Sequence, residues 1–267
     1  MTVAPLNAPQ MPPSGQVPTP QRFRHRSIVE YLGLLVVAAL VLSSIAATAP
    51  QMDALGRGLT RLVAPDGMLA QMFPPDFSRV DRIAMKLLET LQMAVAGAAL
   101  GLVLSVPLAV LATDRLSPHP ALRIAARGLI ALFRTIPDLV WAIFFIIMVG
   151  LGPAAGVLAI MVDKIGFAGR FFAEAMEEAD PGPQDALRAI GANRFGILFS
   201  ATSLFALEKA VRGSAALGLV GAGGIGVDLK VAFDLFNYDE ALTIVLMLFA
   251  LVMIVEQGSG WIRSKLI

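Results

Sequence analysis

The 267-residue chain contains no cysteine, which removes disulfides, thiolate metal sites and cysteine nucleophiles from consideration. Histidine is almost as scarce. Only His25 and His119 occur, both in polar stretches flanked by Arg or Pro, and both read as solvated rather than catalytic. No Gly-Lys dipeptide occurs anywhere, so the chain has no phosphate-cradling P-loop and no ATPase of its own. Charge is also thin, at 15% of residues against roughly a quarter in soluble domains. The balance of 21 basic and 20 acidic side chains gives no argument for nucleic acid. What the chain has in abundance is apolar residues, 57% of the total, and that composition is a membrane protein's.

A helix crossing about 30 Å of hydrocarbon needs roughly 20 apolar residues. Residues 1–27, rich in Pro and polar residues, read as a disordered tail ahead of the first such run. Span 1 is Ile28 to Ala49, and a loop with Pro50, Pro65, Pro74 and Pro75 follows it. Span 2 is about Ile83 to Ala112. Span 3 runs near Ile124 to Leu151, interrupted by "RTIPD", and span 4 from Pro153 to Phe172. Span 5 is short: Phe195 to Leu207 offers only 13 apolar or small residues, about 20 Å of helix. Extension to Val220 supplies the length and brings Glu208, Lys209 and Arg212 into the span. The last span is Ala241 to Glu256, leaving 259–267 as a tail.

Basic residues orient this layout. With both termini cytoplasmic, twelve basic residues lie inside (Lys164 counted among them) and five in the outer loops. The expectation is an all-α polytopic membrane bundle of about six spans, in a bacterial inner membrane if the family resemblance described below holds. It divides into the tail 1–27, a first helix and outer loop at 28–82, and a transmembrane domain at 83–258.

Charges inside spans are functional candidates. Arg134 and Asp138 are four apart, so one helix would place them on one face, with Arg134 attracting a passing anion and Asp138 holding it in place. The competing reading has Arg134 snorkelling to headgroups with Asp138 neutralising it. Glu208 and Arg212 share the spacing and both readings. Gly97 and Gly101 form a GxxxG pattern suited to close helix packing, a dimer interface being one use of it. Trp141 reads as bundle packing and Trp261 as an interfacial anchor. No cofactor and no metal cluster is indicated.

Gly221, Gly223 and Gly226 satisfy the GxGxxG pattern of dinucleotide-binding folds, with Asp239 and Glu240 further on. That fingerprint needs a strand and a soluble βαβ unit, and the surrounding composition is helical. In the six-span layout these glycines, with Gly224, lie at the outer end of span 5, as a turn or part of an outer gate.

Between spans 4 and 5, "FFAEAMEEADPGPQDALRAIGANR" reads as two short helices broken at Asp180-Pro181-Gly182-Pro183. Pro183 suits a first helical position and Gly191 a left-handed stop, and Ala186, Leu187 and Ile190 share one side. A short helix with an apolar face, pinned at both ends, suits a groove on another protein, or lipid.

This loop resembles the coupling loop of type I ABC importer permeases, whose pattern is Glu-Ala-Ala, three residues, then Gly. Asp185-Ala186-Leu187 and Gly191 match it, with Asp in the acidic place and Leu in the third. More narrowly, "FPPDFS" (73–78), "LLETLQMAVAG" (87–97), "LFRTIPDLVWA" (132–142), "RFFAEAMEEADPGPQDALRAIGA" (170–192), "LGLVGAGGIG" (217–226) and "AFDLFNYDEAL" (232–242) resemble, in order, the phosphonate-uptake permease subfamily. The resemblance implies a type I ABC importer permease fold and a homodimer of permeases. It also implies a cytoplasmic ABC ATPase dimer docked at 170–194 and a periplasmic phosphonate-binding protein. Phosphonate or a related phosphorus oxyanion would be carried, and selectivity would rest largely with the binding protein. One departure stands out: 201–204 read "ATSL" where the family has an apolar-Leu-Pro signature, and the stretch to Gly218 is about a dozen residues short. A truncated span 5 would leave the coupling helix without its second anchor, and the alternative is then a non-transporting scaffold or passive channel subunit.

Overall fold

In the computed structural model, residues 28–48, 52–177 and 194–266 are described, and every regular element among them is an α-helix. The chain divides into two compact units, 1–60 and 61–267. In the first, α1 (Ile28–Thr48) is apolar but for Glu30 in its first turn and a few hydroxyl residues near its end, and it is exposed on all sides, as a helix solvated by lipid must be. Helix α2 (Met52–Val63), which begins in this unit, occupies part of the stretch expected as loop. Leu55, Leu59 and Val63 recur on one side of it and Arg57 and Arg61 on another.

The second unit continues with the short α3 (Met68–Gln71) and then α4 (Val80–Ala112), α5 (Pro120–Thr135), α6 (Asp138–Val149) and α7 (Pro153–Glu177). It closes with α8 (Arg194–Gly218), α9 (Ile225–Asp234) and α10 (Tyr238–Leu266). Among the described residues, α1, α4 and α10 are long and apolar enough to cross a membrane, and the pair α5–α6 makes a fourth span if counted as one. Helix α10 runs on through the residues expected as a C-terminal tail.

Small residues set the packing. Helices α4 and α7 make the most extensive contact in the unit. A Cβ added to Gly97 would stand 2.7 Å from Ile160 Cβ, and one on Gly101 2.5 Å from Lys164 Cβ. The GxxxG pattern therefore brings α4 against α7 of the same chain, and the dimer-interface reading of it is set aside. Ala94 and Ala98 of α4, Ala155 and Ala159 of α7 and Ala210 of α8 fill the centre, all buried. Such short side chains leave backbones close, which favours dispersion contacts where no water-driven hydrophobic term operates.

Helix α5 stops where its sequence says it must. The residue before a proline is pushed out of the helical region, and Ile136, ahead of Pro137, is extended. Helix α6 then leaves at 95° to α5. At the other end of α5, His119 Nδ1 accepts the Ala121 N–H at 3.1 Å, a capping role the sequence reading did not assign to it.

Span 5 departs from the short-span expectation. Helix α8 is continuous over 25 residues, about 37 Å, and takes Glu208, Lys209 and Arg212 inside it. It is long enough to cross, but it is not among the helices apolar enough to do so by composition, which are α1, α4 and α10.

Candidate functional site

The first site is the glycine-rich turn joining α8 to α9. Gly221, Gly223 and Gly224 have φ of 93°, 84° and 75°, a region where an L side chain is strained. Gly226 and Gly218 approach so closely that a Cβ on Gly218 would lie 2.6 Å from Gly226 Cα. The turn is tied to three other places. Gly152 N–H donates to the Gly221 carbonyl at 3.0 Å, Gly224 N–H to Glu89 Oε1 at 3.1 Å, and Ile225 N–H to Thr90 Oγ1 at 2.8 Å. The four glycines of the expected gate are thus brought together, with Glu89 and Thr90 as unforeseen partners. No strand stands beside them among the described residues, and the dinucleotide reading ends there.

An open cleft of about 410 Å³ borders this turn. Arg82, Lys86, Glu89, Gly223 and Asp228 line it, and its charges are paired: Arg82 with Asp228 at 2.5 Å and Lys86 with Glu89 at 2.7 Å. The rim continues through Arg79, 3.0 Å from Glu240 at the start of α10. Asp239 and Glu240 stand in that helix's first turn, where the positive end of the helix suits them. Nearby, the Asp76 carboxylate is held below its ordinary pKa, chiefly by the Ser78 N–H at 2.8 Å and also by the Ser78 hydroxyl. The Asp76 carbonyl in turn accepts from Thr243 Oγ1 at 2.7 Å, which docks the "FPPDFS" segment on α10.

The second site is a set of charges on α7, α8 and α10, some buried and some on the surface of the bundle. Lys164, counted above as a cytoplasmic loop residue, is instead buried within α7, its Nζ 2.6 Å from Asp163. Its removal from the loop tally leaves eleven inner basic residues against five. Lys209 of α8 reaches both Asp163 oxygens at 3.1 Å and lies 5.1 Å from the centre of the Phe167 ring. One turn on, Arg212 contacts Glu208 at 3.4 Å and Glu256 of α10 at 3.3 Å, and Arg263 contacts Glu208 at 3.3 Å. The signal for Asp163 and Lys164 was present in "MVDKIG", two adjacent charges in the middle of an apolar run.

Arg134 and Asp138 do not share a helix face, because the 95° break falls between them. Arg134 stands in the last turn of α5 beside Gly166 of α7 and makes no ion pair among the described residues. Asp138 opens α6, accepts the Leu139 N–H at 2.9 Å and comes close to α8 at Gly213. Trp141 packs among Phe133, Phe144 and Phe145, as expected. Trp261 is exposed, with Lys265 over its ring. Asp185, Ala186, Leu187, Ile190 and Gly191 lie outside the described residues. The helix leading to them is braced: Glu177, the last residue of α7, accepts from Arg127 and from the Asp114 N–H.

An all-helical bundle with long apolar helices, a glycine-latched turn and an ion pair buried within one of its helices defines a polytopic membrane protein. The chain belongs to the family described as binding-protein-dependent transport system inner membrane component, which matches residues 101–256. It is 38% identical over 216 residues to the phosphate-import permease protein PhnE of Mycolicibacterium smegmatis, covering 75% of this chain and 40% of that protein's length. The phosphite transport system permease protein PtxC of Stutzerimonas stutzeri is 35% identical, with 74% and 76% covered. A further protein of the same organism, the putative phosphite transport system permease protein HtxC, is 36% identical over 258 residues, 92% of this chain and 87% of the other. Among solved structures, the inward-facing MetNI methionine ABC transporter matches with a TM-score of 0.60 at 22% identity. That match covers 72% of this chain and 99% of the other and shows a shared fold.

Proposed function

We propose that the chain is the membrane permease subunit of an ABC importer that carries phosphonate, phosphite, phosphate or a related phosphorus oxyanion. The observation that carries this reading is the similarity to permeases named for phosphate and phosphite, which extends over 92% of the chain in one of them. Two copies would pair around the path, as in the dimer the resemblance implies. A binding protein would deliver the oxyanion at the outer face, and an ATPase dimer would dock at 170–194 on the inner face. Both termini are then cytoplasmic, in keeping with the bias of basic residues.

Each site takes a role in that cycle. Gly221, Gly223, Gly224 and Gly226 form an outer gate, which the Glu89 and Thr90 hydrogen bonds hold shut. The apolar side of the coupling helix, Ala186, Leu187 and Ile190, fills a groove on the ATPase between Asp185 and the stop at Gly191. Arg134 and Asp138, on either side of the α5–α6 break, stand along the path. The paired charges of the bundle interior are affordable only where protein or water surrounds them.

The test is uptake into proteoliposomes holding the chain with the ATPase and binding protein of its own transport system. ATP-dependent accumulation of phosphite, phosphate or methylphosphonate, abolished without the binding protein, is the expected result. Entry without ATP that stops at equal concentrations on the two sides would make it a passive channel. Assembly with no uptake of any of the three would make it a scaffold or a permease for another solute.

A further inference from the structure

Helix α8 has one open side. Phe205, Lys209, Arg212 and Ala216 follow one another at spacings of four, three and four, and all are exposed. Ala206, Ala210, Val211, Ser214 and Leu217, on the other sides, are buried. Lys209 stands nine residues from the nearer end of α8, about 14 Å along the axis, farther than a lysine side chain extends. Arg212 stands six residues from that end, about 9 Å, and a cation as deep as Lys209 with a second one turn away is costly against hydrocarbon, so this side of the helix calls for water or a polar surface.

The charges are layered. Asp163 and Glu208 are tucked behind, with side chains 15% and 11% exposed, while Lys209 and Arg212 stand in front at 45% and 61%. Each rear carboxylate also has a second cation: Lys164 for Asp163, and Arg263 for Glu208. Lys209 or Arg212 can therefore turn to another anion without stranding a buried carboxylate, the arrangement that would be most costly. Two other carboxylates face this region. Glu256 of α10 is half exposed beside Arg212, and Asp138 of α6 lies next to Gly213. With them, four carboxylates (Asp138, Asp163, Glu208 and Glu256) face four cations (Lys164, Lys209, Arg212 and Arg263), so the cluster carries no net positive charge and an incoming anion is exchanged for a carboxylate and not trapped.

We propose that the Lys209–Arg212 face of α8 lines the translocation path and forms an oxyanion relay, an inference that rests on the importer reading above. The substrate takes the place of Asp163 on the Lys209 ammonium and of Glu208 and Glu256 on the Arg212 guanidinium, one helical turn along. A phosphorus oxyanion, with several acceptor oxygens on one centre, suits both donors.

The chain has no cysteine, so single-cysteine variants report on one position each. In the assembled transporter, Lys209→Cys, Arg212→Cys and Ala216→Cys are treated with a membrane-impermeant, negatively charged methanethiosulfonate, with the buried Ala210→Cys as control. The expected result is modification at 209, 212 and 216 but not at 210, slowed by phosphite or methylphosphonate. Modification no faster at 209 and 212 than at 210 overturns the proposal. In uptake, Lys209→Gln is expected to raise KM by roughly tenfold or more, the worth of one charge-assisted hydrogen bond, with Lys209→Arg recovering most of it. An unchanged KM in Lys209→Gln overturns the relay. Rapid labelling of the cysteine variants without oxyanion protection, together with no uptake of a phosphorus oxyanion by the cysteine-free wild-type protein, sinks the importer reading and leaves the water-lined face standing.

Discussion

Gly223 shows how much one residue decides here. Its φ of 84° excludes comfortable occupancy by any L side chain, and an added Cβ would lie 2.7 Å from Pro153. A Gly223→Ala change therefore combines left-handed strain of roughly 1–2 kcal/mol with displacement of the α6–α7 junction. The expected outcome is a lowered melting temperature in detergent and a slowed uptake cycle. Transport at the wild-type rate would show the turn to be passive. The sequence identified these glycines as a turn from their setting, but not the hydrogen bonds from Gly224 and Ile225 to Glu89 and Thr90. Those partners lie 135 residues earlier in the chain, and no local pattern connects them. The same holds for Lys164: the charge could be read from the chain, its burial against Asp163 and Gly101 could not.

At the scale of the helix, local rules served best where the cause was local. The break at Pro137 follows from the backbone clash a proline imposes on its predecessor, and "RTIPD" announced it. Its consequence, the separation of Arg134 from Asp138, requires the turn to be taken literally instead of as a kink. Helix α2 was missed because four prolines around it pointed to loop, although Leu55, Leu59 and Val63 carried the helical period. Span 5 had two readings, a short apolar run and an extension to Val220 that takes in three charges, and apolar length could not choose between them because the charges of the longer helix are satisfied by its neighbours. The α4–α7 contact offers the clearest test. Gly101→Leu would drive a side chain into Lys164 Cβ and the Met161 carbonyl, 2.5 and 2.7 Å from the position of its Cβ. Overpacking of this kind costs about 1–3 kcal/mol, to be read as lost thermal stability and reduced yield of folded protein. Gly128→Leu, with open space around it, should leave both unchanged.

For the whole molecule, the decisive link is between the bundle and what drives it. Ion pairing of Arg127 with Glu177 anchors the end of α7, from which the 178–193 segment departs. If that segment is the coupling loop, Leu187→Asp places a charge on its apolar side and Gly191→Pro forbids its left-handed stop. Co-purification of the ATPase with the permease should be lost in both, while the permease itself still inserts and folds. Retention of the ATPase in both variants would remove the coupling assignment.

Composition and apolar run length by themselves determined that this is a helical membrane protein, because hydrocarbon admits few charges and requires every backbone group to be bonded within its own segment. Ordered motifs were enough to bring the permease family into view. Only the tertiary structure decided which charges are buried, which face outward and which glycines touch one another. Those properties depend on residues distant in sequence meeting in space. In this chain, the meeting of α4, α7 and α8 turned scattered Gly, Lys and Asp residues into a latched turn and a layered row of ion pairs.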